Sequence, residues 1–256
     1  MSAAAAYPDL SGQHVFITGA ARGLGRSMAD KLSSCGAAVA VADVDVDGCE
    51  EVAKAIRAAG GTAFAYRVDV ALRDEFMHCA AEFAGHCGRI DAVVNNAMLL
   101  RYEPVEKITP ETLTRMTAIG VNGSVWGAQA LLAHYDAARG GAIVNMASPV
   151  AEKGFPNTAA YSLVKGAIVT LTKVLAAELG PRNVRVNAIA PGSVPTPGAL
   201  GLNDKAEYAR RMHSIPLRRL GREQDNAEAC AFLLSGAASF INGEILHVDG
   251  GIAAAG

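Results

Sequence analysis

The feature that most constrains this chain is an alternation of two hydrophobic periods. Six short runs rich in Val, Ile and Ala read as strands: Val15 to Ile17, Ala38 to Ala42, Ile90 to Val94, Ala142 to Met146, Val184 to Ile189 and Glu244 to Val248. The first five are almost uniformly apolar, as strands covered on both faces by helices must be. Between them lie Ser27 to Ser34, Gly48 to Ala59, Leu72 to Cys87, Thr112 to Ala138 and Ala159 to Glu178, with apolar residues at three- and four-residue steps. Strand-helix repetition of this kind predicts a parallel sheet with right-handed crossovers. No linker rich in Pro or Ser and no internal repeat interrupts it, so a flexible tail over 1–9 and one domain over 10–256 are expected. Gly, Pro and a short helical pattern (Leu202 to Met212) predict a loop-helix lid over about 192–216.

Composition narrows the function classes. With 256 residues, 51% hydrophobic and 19% charged, the chain can bury a full core. Its 23 Lys+Arg against 25 Asp+Glu leave a net charge of −2 without a basic stripe, so no nucleic-acid partner is expected. The longest apolar stretches, Gly166 to Leu171 and Ala229 to Leu234, fall far short of the roughly 20 residues of a membrane span. An N-terminus without a basic n-region does not read as a signal peptide, which makes the cytoplasm the default location. Five cysteines with no Cys-x-x-Cys pair fit a reducing compartment. His78-Cys79 and His86-Cys87 have the look of soft metal ligands, but Phe76, Ala80, Phe83 and Cys87 recur at helical spacing, so a core-facing helix and no metal site are expected.

The first strand runs into Thr18-Gly19-Ala20-Ala21-Arg22-Gly23-Leu24-Gly25, and a helix follows. Glycines are needed where the chain turns off a strand, where backbone approaches a pyrophosphate, and where a helix packs tightly on a sheet. The helix N-terminus then presents free N–H groups to the anion. The second strand ends at Asp43, 18 residues beyond Gly25 and close to the offset of about 20 residues expected for a carboxylate on the adenosine ribose. Such a group accepts from the ribose hydroxyls and repels a 2′-phosphate, favouring NAD over NADP. Two other readings stand beside it: Asp43 as a turn former, and Arg22 as a partner for a 2′-phosphate.

Tyr161 and Lys165 are four apart in a helical segment and share one face, while Ser148 closes the strand that ends near Ala147, on the side where open parallel sheets bind ligands. With these residues in place the chain resembles the short-chain dehydrogenase/reductase family. The match runs from Ser11 to Gly251 through the glycine turn, Asp69-Val70, Asn95-Asn96-Ala97, Asn122, Ser148, Tyr-x-x-x-Lys at Tyr161 to Lys165, Pro191-Gly192 and Val248-Asp249-Gly250-Gly251. The fold implied is α/β, a doubly wound Rossmann-type parallel sheet flanked by helices on both faces, in a single domain.

The resemblance implies roles. Tyr161 is the general acid/base, Lys165 lowers its pKa and binds the nicotinamide ribose, Ser148 hydrogen-bonds the substrate oxygen, and Asn122 holds a water chain that relays the proton. A phenol ionises near pH 10; bringing it to neutrality takes about 4 kcal/mol, which an ammonium at about 4 Å supplies at an effective dielectric near 20. Cofactor contacts are expected from Gly19, Arg22, Gly23, Leu24, Gly25 and Asp43, from Asp69 and Val70 at the adenine, from Asn95 at the ribose with Ala97, and from Pro191, Gly192, Val194 and Thr196 at the carboxamide. The family commonly forms homotetramers through its two long helices and last strand. Two departures stand out. Met98 replaces the glycine usual after Asn-Asn-Ala, which predicts either a local backbone change or a narrowed cleft. Asn242 stands where Thr is frequent.

Leu99, Leu100, Pro149, Val150, Phe155, Leu200, Leu202 and Met212 are expected to face the substrate, pointing to an apolar alcohol or ketone, with Arg101 and Lys153 as candidates for an anionic group. The reading is an NAD-dependent oxidoreductase of a secondary alcohol or ketone. Beside it stand an NADPH-dependent 3-oxoacyl-type reductase and, motivated by Met98 alone, a cofactor-binding regulatory protein without turnover.

Overall fold

The computed structural model describes residues 9–198 and 205–255. Seven strands, all parallel, form one sheet: β1 (His14–Thr18), β2 (Ala38–Asp43), β3 (Thr62–Arg67), β4 (Ala92–Asn95), β5 (Gly141–Met146), β6 (Val184–Pro191) and β7 (Ile245–Val248). Their order across the sheet is β3-β2-β1-β4-β5-β6-β7. The chain thus winds outward in one direction from β1 and in the other from β4. Between those two strands the crossovers leave a crevice at the strands' C-terminal ends.

Alternation along each strand feeds two helical layers. Val15, Ile17, Val39, Val41, Val94 and Val144 pack with Met28 and Leu32 of α1 (Gly23–Ser34), Val52 of α2 (Val46–Ala58), and Ala231 and Leu234 of α8 (Glu223–Leu234). On the opposite face Phe16, Val93 and Ile143 meet Phe76 and Phe83 of α3 (Arg73–Cys87), Leu131 of α5 (Gly123–His134) and Leu179 of α6 (Ala159–Leu179). A third, smaller cluster of Met116, Ala147, Val164 and Ile168 lies where α4 (Pro110–Thr117) and α6 meet.

Three elements differ from the sequence expectation. Strand β3 was not among the expected strands because its Thr-Ala-Phe-Ala-Tyr-Arg pattern is half exposed, as suits an edge of the sheet. The stretch expected as one helix over Thr112 to Ala138 is α4, a π-turn over Ala118–Asn122, and α5; it stops at His134 because Tyr135 turns extended. Helix α8 was also missed, since its apolar segment is short and its first turn polar. On α3, Phe76, Cys79, Ala80 and Phe83 are buried, His78 faces Glu82 at 3.5 Å, and His86 Nδ1 lies 3.0 Å from the Tyr66 hydroxyl. No helix among the described residues is long and apolar enough to cross a membrane.

Candidate active site

The turn after β1 is fastened to the end of β4. Thr18 Oγ1 accepts the backbone N–H groups of Asn96 (3.0 Å) and Ala97 (3.1 Å), and Asn96 Nδ2 donates to the carbonyls of Thr18 and Gly19, each at 2.9 Å. Gly19 has φ +65°, and a Cβ on Gly25 would stand 2.1 Å from the Gly19 carbonyl oxygen, so neither position admits a side chain without displacement. Asn96 was not among the expected site residues, yet it sets the path of the glycine turn. The N-terminus of α1 begins directly behind it.

This turn forms one end of a cleft of about 1060 Å³ across the C-terminal ends of the strands. Of the expected cofactor contacts, Gly19, Arg22, Gly23, Leu24, Asp43, Asp69, Val70, Ala97, Tyr161, Lys165, Pro191, Gly192, Val194 and Thr196 line it. Asp43 also does the work of a turn former: its carboxylate accepts from the N–H of Ala21 (3.3 Å) and of Asp45 (3.2 Å). Asp69 is partly buried, which raises its pKa, but the Arg115 guanidinium at 2.7 Å and the Ala71 N–H hold the carboxyl below its ordinary value. Arg115 is a cleft residue that sequence reasoning missed, because its partner is 46 positions away.

Gly25 is not a lining residue but packs against Gly19 and Asn96, and two further expected residues lie elsewhere. Asn95 is buried under α5, donating to Asn145 Oδ1 (2.8 Å) and to the Ser124 carbonyl (3.3 Å), so it joins β4, β5 and α5 instead of facing the cleft. Asn122 is exposed at the end of the π-turn and is not among the cleft-lining residues. The extra residue in an i→i+5 turn shifts the positions after it around the helix axis. Gly120, two residues earlier, is the one turned toward Met98 and Val164. Met98 does not have the left-handed backbone that would strain it. Met98 is among the cleft-lining residues, and its sulfur lies 3.0 Å from where a Cβ on Gly120 would be, so it packs against the helix that carries Gly120.

Ser148, Tyr161 and Lys165 converge at the end of β5. Ser148 Oγ accepts from the Val150 N–H at 3.4 Å and lies near enough to the Tyr161 hydroxyl to favour its ionised form. Lys165 is buried, with Nζ 2.5 Å from the Met146 carbonyl and 5.5 Å from the Tyr161 ring centroid. Burial pushes the Tyr161 phenol up, Tyr102 pushes it the same way, and Ser148 opposes both; burial lowers the Lys165 ammonium to about 7. The expected lowering of the Tyr161 pKa draws on Lys165 together with the positive charge of an oxidised nicotinamide, and the protein groups by themselves leave the phenol raised. A buried ammonium without a carboxylate loses its own proton more easily, and this one spends its donor on a backbone carbonyl.

At the other end of the cleft the expected Leu99, Leu100, Pro149, Val150 and Phe155 line the wall. Leu200 and Leu202, and with them residues 199–204 of the expected lid, lie outside the described residues. Met212, on α7 (Lys205–Ser214), is exposed and not a lining residue; α7 instead contributes Glu207, Tyr208, Arg210, Arg211 and Ser214. Arg101 pairs with Glu103 at 3.1 Å and Lys153 donates to the carbonyl of the cleft-lining Ile252 at 2.7 Å; neither Arg101 nor Lys153 is itself a lining residue. Tyr102, missed from the sequence, stands edge-on to Tyr161 with ring centroids 5.7 Å apart.

A family model described as enoyl-(acyl carrier protein) reductase matches residues 19–253. The chain belongs to the short-chain dehydrogenase/reductase family. It is 38% identical over 241 residues to the cis-4-hydroxycyclohexanecarboxylate dehydrogenase of Sinomonas cyclohexanicum, covering 93% of this chain and 95% of that one. A 7α-hydroxysteroid dehydrogenase solved with NADH and 7-oxo glycochenodeoxycholic acid superposes with a TM-score of 0.92 at 33% identity, covering 95% of each chain. A putative gluconate 5-dehydrogenase from Beutenbergia cavernae with bound NADP gives 0.91 at 34% identity over 96% of this chain and 99% of that one. As a family member the protein is an oxidoreductase of CH–OH groups that works with a nicotinamide dinucleotide.

Proposed function

We propose that the protein transfers hydride between NAD and a secondary alcohol or ketone, largely apolar around the reacting carbon. The observation that carries this reading is the convergence of Ser148, Tyr161 and Lys165 in the same cleft as the glycine turn and Asp43. The cleft fits a dinucleotide: the Gly19–Gly25 approach leaves bare backbone for a pyrophosphate, and Asp43 stands at the end of β2, where the adenosine ribose would lie. Asp43 is the group that selects NAD. A 2′-phosphate about 4 Å from it would cost about 4 kcal/mol at an effective dielectric near 20.

An oxidised nicotinamide, when bound, supplies the hydride acceptor and a positive charge beside Tyr161. The chain's own residues then manage one proton. Ser148 Oγ and the Tyr161 hydroxyl, neighbours in the cleft, together hold the substrate oxygen. For oxidation Tyr161 must first release its own proton to solvent, which the positive charges of the nicotinamide and Lys165 would favour; the phenolate then takes the substrate hydroxyl proton, and in the reductive direction the phenol gives that proton to the carbonyl oxygen. Lys165 donates to the Met146 carbonyl and stands 5.5 Å from the Tyr161 ring centroid, where it would hold the nicotinamide ribose. Asn122 has no part in this scheme, and Asn95 acts by joining β4 to β5. Leu99, Pro149, Val150 and Phe155 keep the site dry, so the polar contacts gain strength.

The NADPH-dependent 3-oxoacyl reading draws on Arg22, which lines the cleft near Asp43. Initial rates on secondary alcohols and on a 3-oxoacyl thioester, each with both cofactors, test the two. The proposal requires faster turnover of the alcohol with NAD, and faster thioester reduction with NADPH contradicts it. The regulatory reading loses its motive, since Met98 is accommodated without a left-handed backbone. We place the enzyme in the cytoplasm as a homotetramer; the exposed Leu163 and Val174 of α6 supply an apolar strip for such an assembly.

A further inference from the structure

The far end of the cleft holds an arginine that the hydride-transfer scheme leaves without a task. Arg211 lines the cleft together with Tyr102, Tyr161 and Glu207. Its guanidinium is held by Glu207, with Nε 2.6 Å from Oε1, and it stands close enough to Tyr102 for its charge to favour the ionised phenol there. The Tyr102 ring in turn stands 5.7 Å, at 67°, from that of Tyr161. Arg211 and the reacting phenol thus line the same cleft, with Tyr102 beside both. With 29% of its side chain exposed, Arg211 is half-buried, which weakens screening of its charge by salt.

The charge at this end does not balance. Glu207 also receives Arg210, whose Nε and Nη2 lie 2.9 and 2.8 Å from its two oxygens. One carboxylate thus serves two guanidinium groups. Among the described residues lining this end, Glu207 is the sole carboxylate, and Leu99, Leu100 and Phe155 supply apolar wall. A guanidinium offers five N–H donors in a planar fork that matches a carboxylate, and the bond to Glu207 does not exhaust them.

We infer that Arg211 is a specificity-determining residue that receives a carboxylate carried by the substrate at the end opposite its reacting carbon. The substrate class is then a hydroxy or oxo carboxylic acid with an apolar frame between its two polar ends, in preference to a neutral alcohol. This rests on the alcohol–ketone reading and names which members of that class the cleft takes. Glu207 is a positioning residue: it aims the guanidinium.

The test compares 4-hydroxycyclohexanecarboxylate with neutral 4-methylcyclohexanol as substrates with NAD, in wild type, Arg211→Met and Arg211→Lys. It also measures binding of unreactive cyclohexanecarboxylate to the NADH complex through the fluorescence of the bound cofactor. The expected result is a preference for the acid of about tenfold or more in kcat/KM, carried mainly by KM. Arg211→Met reduces that ratio to within about twofold and weakens cyclohexanecarboxylate binding by a similar factor as the preference it loses, while Arg211→Lys keeps part of both. Equal use of the two alcohols by wild type, or an unchanged ratio and unchanged binding in Arg211→Met, overturns the inference. Failure of wild type to oxidise either alcohol overturns the alcohol–ketone reading instead, and the fluorescence titration then still decides whether Arg211 holds a carboxylate.

Discussion

The two ends of the cleft are made of different material. At the nucleotide end the surface is backbone: glycines with no room for a Cβ, a helix N-terminus, and carboxylates such as Asp43 that also tie down turns. At the substrate end it is side chain: Tyr102 from the loop after β4, Phe155 from the segment before α6, and Glu207 and Arg211 from α7. Backbone bound so closely to the sheet has one arrangement, and its loss is a loss of fold. Side chains from separate loops can be exchanged with the sheet intact. Ser148, Tyr161 and Lys165 stand between, side chains in function but planted on β5 and α6.

That contrast can be broken by substitution. Tyr161→Phe should lower kcat by about 10³-fold or more, the range of a general acid/base, while the NADH dissociation constant, read by fluorescence, stays within about tenfold. A comparable loss of binding would mean the phenol belongs to the nucleotide end. Gly25→Ala should act oppositely, destabilising the fold by about 2–3 kcal/mol through collision with the Gly19 carbonyl and removing NADH binding along with turnover; thermal melting and the same titration report both.

Lys165→Met sharpens the middle case. The folded-state pKa of Lys165 is lowered to about 7, so below that pH the native protein holds a buried charge that the unfolded chain keeps in water. Between about 7 and the unfolded value of 10.5 the unfolded state binds the extra proton, and stability rises with pH. The Met variant should therefore be more stable than wild type by about 1–4 kcal/mol at pH 6, with the gain shrinking as pH climbs above 7, and it should be inactive. Denaturant melts at pH 6 and 9 check this. The smallest expected effect is at the edge of the nucleotide end: Asp43→Ser should shift the NAD-to-NADP ratio of kcat/KM toward NADP by about tenfold, since it removes a repulsion and adds no partner for the phosphate.

What the sequence made legible follows the same division. The glycine turn, Asp43, Ser148 and the Tyr161–Lys165 pair lie within short stretches whose spacing is set by one strand, one turn or one helix, so local pattern was enough. Strand β3 escaped because an edge strand lacks the two-sided apolar run by which its neighbours were recognised, and α8 because its polar first turn hides its periodicity. Asn122 was misplaced by a π-turn, which breaks the 3.6-residue count on which facing is judged. Asn95 was misassigned because a polar residue at a strand end reads the same whether it faces a ligand or, as here, Asn145 on the next strand. Arg115 and the Tyr102–Arg211 pair depend on contacts between distant segments, for which one chain offers no local sign.

The most direct test of the account follows the hydride itself. Wild-type protein incubated with NADH deuterated at nicotinamide C4 and a cyclic ketone should yield an alcohol bearing deuterium on the carbinol carbon by mass spectrometry. Tyr161→Phe, loaded with the same cofactor, should yield almost none. Absence of deuterated alcohol from wild type, or equal transfer by the two proteins, would contradict a mechanism in which Tyr161 moves the proton beside a nicotinamide bound in this cleft.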